Sequence, residues 1–228
     1  GVIKAGAKET EIIGASVDLS GLHMASDKDF NRKSFTTGHT GFGIPFATWP
    51  DRADVPLNAA RALRYMDRYV TVNQGEVFYM TEALAAIEGI ERGPAGNTSL
   101  AAAFAIAREM DEDQVVVVQE TEYTGAGKHP IPQLNFAKDN GVEVKRGNPD
   151  HEVPGQSIII PEEPDMIKAR DLDLKKIRSS YLKKAINKSG IKELGAKELK
   201  FLAAEVNLDK ASVEAIISEI DEVEVDLI

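Results

Sequence analysis

Two hydrophobic patterns alternate along the chain. Short unbroken apolar runs bounded by turn residues predict buried strands, and apolar positions spaced by three or four predict helices with one covered face. The first run is Glu11-Ile12-Ile13-Gly14-Ala15-Ser16-Val17-Asp18, which lies between the polar turn Ala7-Lys8-Glu9 and Ser20-Gly21. Residues 2–5 before it read as the tail of a helix. Residues 27–58 are dense in Gly, Thr, Pro and polar side chains and read as a long loop, a kind of segment that usually carries function. Tyr69-Val70-Thr71-Val72 predicts a strand and Asn73 a helix cap. Val77, Met80, Leu84 and Ile87 then predict the core face of a helix over 75–87, and Ile90 the start of a short strand. Gly93-Pro94-Ala95-Gly96-Asn97 predicts a tight turn, followed by an alanine-rich helix over 99–110 with Leu100, Phe104 and Ala107 on one side. The valine run 115–118 predicts a strand covered on both faces. Residues 119–129 read as a loop, 133–139 as a helix stopped by Asn140-Gly141, and 142–144 as a short strand.

Strands alternating with helices at this spacing indicate an α/β fold with a mostly parallel sheet. Ligands of such sheets bind at the carboxyl ends of strands, which directs attention to the loops starting at Ser20, Gly93 and Gln119. After Pro161 the pattern changes. Glu162-Glu163-Pro164 reads as a polar linker, and three apolar stripes follow: Leu174, Ile177, Tyr181 and Ala185; Leu199, Leu202 and Val206; Val213, Ile216, Ile217 and Ile220. The expected division is an α/β portion over 1–160 and a helical tail over 161–228 that is a possible subunit-docking region.

Composition narrows the function classes. The chain of 228 residues carries 27 Lys and Arg against 37 Asp and Glu, a net charge of -10. That balance disfavours nucleic acid as a partner. No apolar run reaches the roughly 18 residues of a membrane span. Cysteine is absent, which excludes disulfides and thiolate chemistry and allows a reducing compartment, so the chain reads as cytoplasmic. No signal-peptide pattern follows Gly1.

The most suggestive chemical element is the turn at 93–99 leading into a helix. Small residues let a ligand approach the backbone, and the helix amino end offers free N–H groups to an anion or a ring acceptor. Asn97, Thr98 or Ser99 acting only as a helix cap is the competing reading. Gly125-Ala126-Gly127-Lys128-His129 lacks the first Gly and the final Ser or Thr of a nucleotide-binding phosphate loop, because Glu122 and His129 stand there. The four histidines, His23, His39, His129 and His151, share no metal-ligand spacing, so no metal site is expected. His39 is a candidate substrate contact or a structural hydrogen-bonding group, and Trp49 reads as a loop anchor.

The order of these pieces resembles a known family. Ile12 to Ser16, Val70-Thr71-Val72, Glu88-Gly89-Ile90-Glu91-Arg92-Gly93-Pro94-Ala95-Gly96, the alanine-rich helix and the valine run are similar to the carboxyl-terminal half of the fold type II, tryptophan-synthase-β-like, pyridoxal-phosphate enzymes. The resemblance implies a three-layer, mostly parallel sheet belonging to the large domain, here with a helical appendage. Within that family, residues 14–26, 36–50, 64–71, 92–103 and 119–129 look like the β subunits of thiolases that act on amino-oxo acids. This closer resemblance implies pyridoxal phosphate as cofactor and cleavage of 2-amino-4-oxopentanoate by coenzyme A to acetyl-CoA and alanine, in ornithine fermentation. It also implies a smaller α subunit as partner and a homo- or hetero-oligomer.

The family's Schiff-base lysine and its phosphate-binding glycine cup are expected upstream of Gly1. The chain then reads as a carboxyl-terminal fragment, or one product of a split chain, that is inactive without the amino-terminal half. By resemblance, Gly93, Ala95, Gly96, Asn97 and Thr98 border the cofactor ring together with Glu120 and Thr121. Thr37, Gly38, His39 and Tyr123 are assigned to the substrate. Where several family members place a serine against the pyridine nitrogen, Ala95 stands here. The rival readings are a threonine-synthase-like or dehydratase-like lyase and a non-catalytic assembly module that docks a partner subunit.

Overall fold

The computed structural model describes residues 6–7, 9–18, 63–120, 130–191, 193–220 and 224–225. The expected helix tail over 2–5, the long loop over 27–58, Thr37, Gly38, His39, Thr121, Tyr123 and the loop 125–129 lie outside the described residues.

β1 (Ile13–Val17) and β2 (Arg68–Val72) pair in parallel, Ile13 opposite Arg68 and Val17 opposite Val72. β2 leads through Asn73 into α1 (Gln74–Ala83), which leaves by one π-helical turn, Leu84–Glu88. α2 (Asn97–Ala107) follows the turn at Gly93. α3 (Pro130–Asp139), β3 (Glu143–Arg146) and β4 (Ser157–Ile160) form a second unit, with β3 and β4 parallel. β5 (Arg170–Asp171) returns to the first sheet and pairs antiparallel with β2, giving the order β1-β2-β5. α4 (Leu174–Ser189), β6 (Glu193–Leu194), α5 (Ala196–Val206), α6 (Lys210–Ser218) and β7 (Glu224–Val225) complete the chain, with β6 and β7 parallel. The fold is therefore α/β with mixed sheets. Among the described residues no helix is long and apolar enough to cross a membrane.

α1 lies between two cores, which explains its composition. Val77 and Met80 pack with Val17, Val70, Val72 and the α2 residues Ala101, Ala102, Ala105 and Ile106. Phe78 packs with Leu134, Ala137, Val142, Ile158 and Ile160 of the second unit. A helix buried on two sides carries no single apolar stripe, and the stripe expected over 75–87 fails at its end: Ile87, in the π-helical turn, is exposed. Gly75 is required by close approach, because a Cβ there would sit 1.8 Å from the carbonyl oxygen of Ile159 in β4.

Other sequence expectations also need correction. Ile90 begins no strand and is exposed in the link between α1 and α2. Of the expected α2 stripe, Leu100 and Phe104 are half-buried against the first core and Ala107 is exposed, while the fully buried face is Ala101, Ala102, Ala105 and Ile106. The valine run 115–118 joins no ladder among the described residues, and Val115, Val116 and Val117 are exposed. Its pattern calls for cover on both faces, and the described residues of this chain do not provide it. β4 and β5 were not anticipated.

The tail stripes hold up, with one addition. Leu199, Val206, Val213, Ile217 and Ile220 form a core with Leu182, Ile186 and Leu194. The expected stripe of α4, Leu174, Ile177 and Tyr181, packs against Leu63 and Tyr69 and fastens the helices to the first sheet, and the addition is its other face, Leu182 and Ile186, in the helical core. Asp173 and Asp209 accept hydrogen bonds from the amides of Lys176 and Ser212 and so cap α4 and α6, as short polar side chains do at helix starts.

Candidate functional site

Two helix amino ends follow the strand-and-turn elements of the first unit, and the sequence treats them differently. At α1 the free N–H groups are filled from within. The Glu152 carboxylate accepts from the amides of Gln74 and Gly75, each at 2.8 Å, and from that of Ile159 at 2.9 Å. The Glu76 carboxylate accepts from the Asn73 amide at 2.6 Å and from the Lys168 amide at 3.1 Å. Arg170 donates to both Glu76 oxygens, at 3.0 and 3.1 Å, and reaches Asp150 at 2.5 Å. Burial pushes the Glu152 carboxyl up to about 7, against the pull of its three N–H donors and with a further push from Glu76. Burial also raises Glu76, and Arg170 draws it back. Asp150 is held below the usual carboxylate range by hydrogen bonds from Lys168 and Arg170. An external anion has no room in this arrangement, because the protein supplies its own.

α2 is built the other way. Its N-cap is Gly96, and no side chain caps it, so the expectation that Asn97, Thr98 or Ser99 serves only as a cap fails. Asn97 is fully buried as the first residue of the helix, and its Nδ2 donates to Thr81 Oγ1 at 3.1 Å and to the Arg92 carbonyl at 3.5 Å. Its Oδ1 is buried with no hydrogen-bond partner. Unpartnered buried acceptors are uncommon in folded proteins and call for a specific partner, a water or a ligand. Gly93, Pro94 and Gly96 are buried in the turn and Ala95 is exposed, with Thr98 half-buried beside it.

The Ser99 hydroxyl lies within hydrogen-bond reach of the Gly96 carbonyl at 3.0 Å and the Gln119 carbonyl at 3.1 Å, and its one proton is shared between them. That contact brings Glu120, which is half-buried, to the amino end of α2. Six of the expected cofactor residues, Gly93, Ala95, Gly96, Asn97, Thr98 and Glu120, therefore fall on two segments that meet. The seventh, Thr121, and all four expected substrate residues lie outside the described residues.

Sequence reading missed the buried polar cluster at α1. Asn73 is the N-cap of α1, as its position in the sequence predicts, and Glu76 completes a capping box with it, but nothing local marks Glu152, 76 residues further on from Glu76, as the group that closes the helix. Gln74, buried with both amide atoms unpartnered, carried no signal either.

A family-model comparison gives no match, and no solved structure matches the chain significantly. Curated proteins do match. The chain is 63% identical over 220 residues to a 2-amino-4-ketopentanoate thiolase beta subunit from an unidentified prokaryote, and likewise 63% identical over 220 residues to one from Acetoanaerobium sticklandii. Each alignment covers 96% of this chain and 47% of the relative. The chain thus spans about half the length of the 2-amino-4-ketopentanoate thiolase beta subunits, and over that half it is their relative in sequence.

Proposed function

We propose that this chain forms the carboxyl-terminal half of a pyridoxal-phosphate-dependent thiolase β subunit. With a smaller α subunit, the whole enzyme cleaves 2-amino-4-oxopentanoate with coenzyme A to acetyl-CoA and alanine, in the cytoplasmic degradation of ornithine. The observation that carries this reading is the 63% identity over 96% of the chain to proteins of that name. In this reading the first unit belongs to the large domain of a fold type II enzyme, and the amino end of α2 borders the cofactor.

The residues there fit such a group. Asn97 Oδ1 is a buried acceptor without a donor, at an uncapped helix end, and would hold a protonated ring nitrogen of the cofactor. Pyridoxal phosphate, when bound, supplies an electron sink next to the amino carbon of the substrate. The chain's own part is positional. Thr81 and the Arg92 carbonyl hold the Asn97 amide in one orientation, Gly93 and Gly96 keep the turn free of side chains, and Ser99 anchors the segment that delivers Glu120. Thr121, Thr37, Gly38, His39 and Tyr123 complete the cofactor and substrate sides.

The test uses the assembled enzyme, with the complementary half and the α subunit present. Acetyl-CoA and alanine should form in equal amounts from 2-amino-4-oxopentanoate and coenzyme A, with a visible absorbance band of bound pyridoxal phosphate. Asn97→Ala should weaken cofactor binding by about tenfold, read from that band, while Ala95→Ser should retain it. Turnover of hydroxyamino acids without coenzyme A would replace this reading with a lyase.

A further inference from the structure

The second unit carries a polar cavity on the side of β3 and β4 turned away from α3. Residues paired in a ladder share a face of the sheet, and the register sets Glu143 opposite Ser157 and Lys145 opposite Ile159. The other face, with Val144, Ile158 and Ile160, packs against Phe78, Leu134 and Ala137. Residues 147–156 pass over the first face, and between them and the two strands lies a cavity of about 450 Å³, within the size range of small-molecule sites. Arg146, Gly147 and Asn148, at the carboxyl end of β3, line it, and strand carboxyl ends are where parallel α/β units take their ligands. The walls are held in advance: Asn148 Oδ1 accepts from the Asp150 amide at 3.0 Å, Ser157 Oγ accepts from the Val153 amide at 2.9 Å, and Glu152 ties the same loop to α1. The donors around the cavity are not used up. Among the described residues Arg146 reaches only the Pro161 carbonyl, at 3.5 Å, and Glu82, at 4.0 Å, and the side chains of His151 and Gln156 make no hydrogen bond. Lys145 forms an exposed pair with Glu143 at 2.8 Å. With Lys145 and Arg146 set against the carboxylate of Glu143, the lining is positive in a chain of net charge -10, and Val153 and Ile159 add apolar surface.

Cationic and neutral donors beside apolar surface suit a phosphate-bearing nucleotide. A guanidinium fork matches phosphate oxygens, and the neutral donors and the apolar wall suit a sugar and a base. The cavity also lies close to the candidate site at α2. Arg146 is 4.0 Å from Glu82, and the residue before Glu82, Thr81, accepts from Asn97 Nδ2 at 3.1 Å. The two places thus stand on neighbouring flanks of α1, on the order of 15 Å apart, one helix diameter and a side chain. We propose that this cavity binds the phosphate-bearing nucleotide end of coenzyme A, with Lys145 and Arg146 on its phosphates. The pantetheine arm is long enough to carry the thiol from there to the amino end of α2. Coenzyme A as the occupant rests on the proposed function, whereas the cavity and its donors do not depend on it. A free nucleotide shares the same chemistry, and the probes below separate the two.

Titration calorimetry of this chain uses coenzyme A, adenosine 3′,5′-bisphosphate, ADP, pantetheine and inorganic phosphate as probes. Coenzyme A and adenosine 3′,5′-bisphosphate should bind with matching stoichiometry, and pantetheine alone should not bind. Lys145→Ala/Arg146→Ala should weaken both nucleotides by about tenfold or more, and Arg146→Lys, which keeps the charge, should weaken them less. In the assembled enzyme the same double variant should raise the KM for coenzyme A by about tenfold or more. Its effect on kcat should be smaller, with none on the KM for the amino-oxo acid or on the visible band of the cofactor. That KM decides the matter where the chain alone binds too weakly to titrate. Lys183→Ala/Lys184→Ala, on the basic face of α4, is the control and should leave the KM for coenzyme A in place. An unchanged KM for coenzyme A in the double variant of an enzyme that does consume it overturns this site alone. A raised KM in the α4 control and not in the double variant moves the nucleotide to α4 and overturns it equally. ADP binding as tightly as coenzyme A makes a free nucleotide the occupant. An assembled enzyme that needs no coenzyme A removes the proposed function and coenzyme A from this cavity together.

Discussion

At the scale of single residues, Glu152 controls more than its position suggests. Its carboxyl, pushed up to about 7 by burial, keeps a proton in the folded chain that the unfolded chain gives up near the ordinary glutamate value. Its stabilising contribution is therefore complete below about pH 4.5 and declines as pH rises through 7, by roughly 3 kcal/mol in all. Glu76, raised in the same direction, acts in the same sense. Urea unfolding of this chain should show stability falling from pH 5 to pH 7.5. Glu152→Gln should flatten most of that slope while lowering stability at pH 5, since its amide turns a donor toward the backbone N–H groups at α1. An unchanged slope in the variant would remove Glu152 as the cause. None of this was legible in the sequence, because a helix start and the carboxylate that fills it lie far apart along the chain and meet only through β4.

Elements show why some patterns were readable and others misled. Val213 and Ile217 were legible as one face because α6 has one covered side, which Ile220 just beyond it extends, and the same holds for Leu199 and Val206 on α5. α1 was harder, since cover on two sides erases the helical period. Ile158, Ile159 and Ile160 in β4 and the valines at 115–118 have nearly the same local pattern and opposite fates. The first set is buried, Ile158 and Ile160 against Phe78 of α1 and Leu134 and Ala137 of α3, and most of the second is bare. An apolar run records that cover is needed, not which segment brings it. Two substitutions in this chain separate a true core face from an apparent one. Leu182→Ala, in the three-helix core, should cost about 3 kcal/mol in urea unfolding, and Ile87→Ala, on the expected but exposed face, less than about 0.5 kcal/mol.

For the whole molecule, the helical tail and the first sheet are not independent. Leu63 and Tyr69 are fully buried in a cluster with Met66 and Leu172 to which α4 contributes Leu174, Ile177 and Tyr181. Arg178 donates to the carbonyls of Leu63 and Met66, each at 3.2 Å. A chain ended at residue 173 should therefore lose roughly 3 to 6 kcal/mol of first-sheet stability, measured by denaturant unfolding followed by the fluorescence of Tyr69 and its neighbours. A passive extension would leave the midpoint where it was. The pairing of β2 with β5 also bears on how the chain is made. Arg68 and Asp171, joined across that pair, are 103 residues apart, whereas β3 and β4 are neighbours along the chain. As the polypeptide leaves the ribosome from its amino end, β3, β4 and α3 can enclose one side of α1 before the last strand of the first sheet has been synthesised. The second unit is thus the earlier platform, and the edge at β5 closes late.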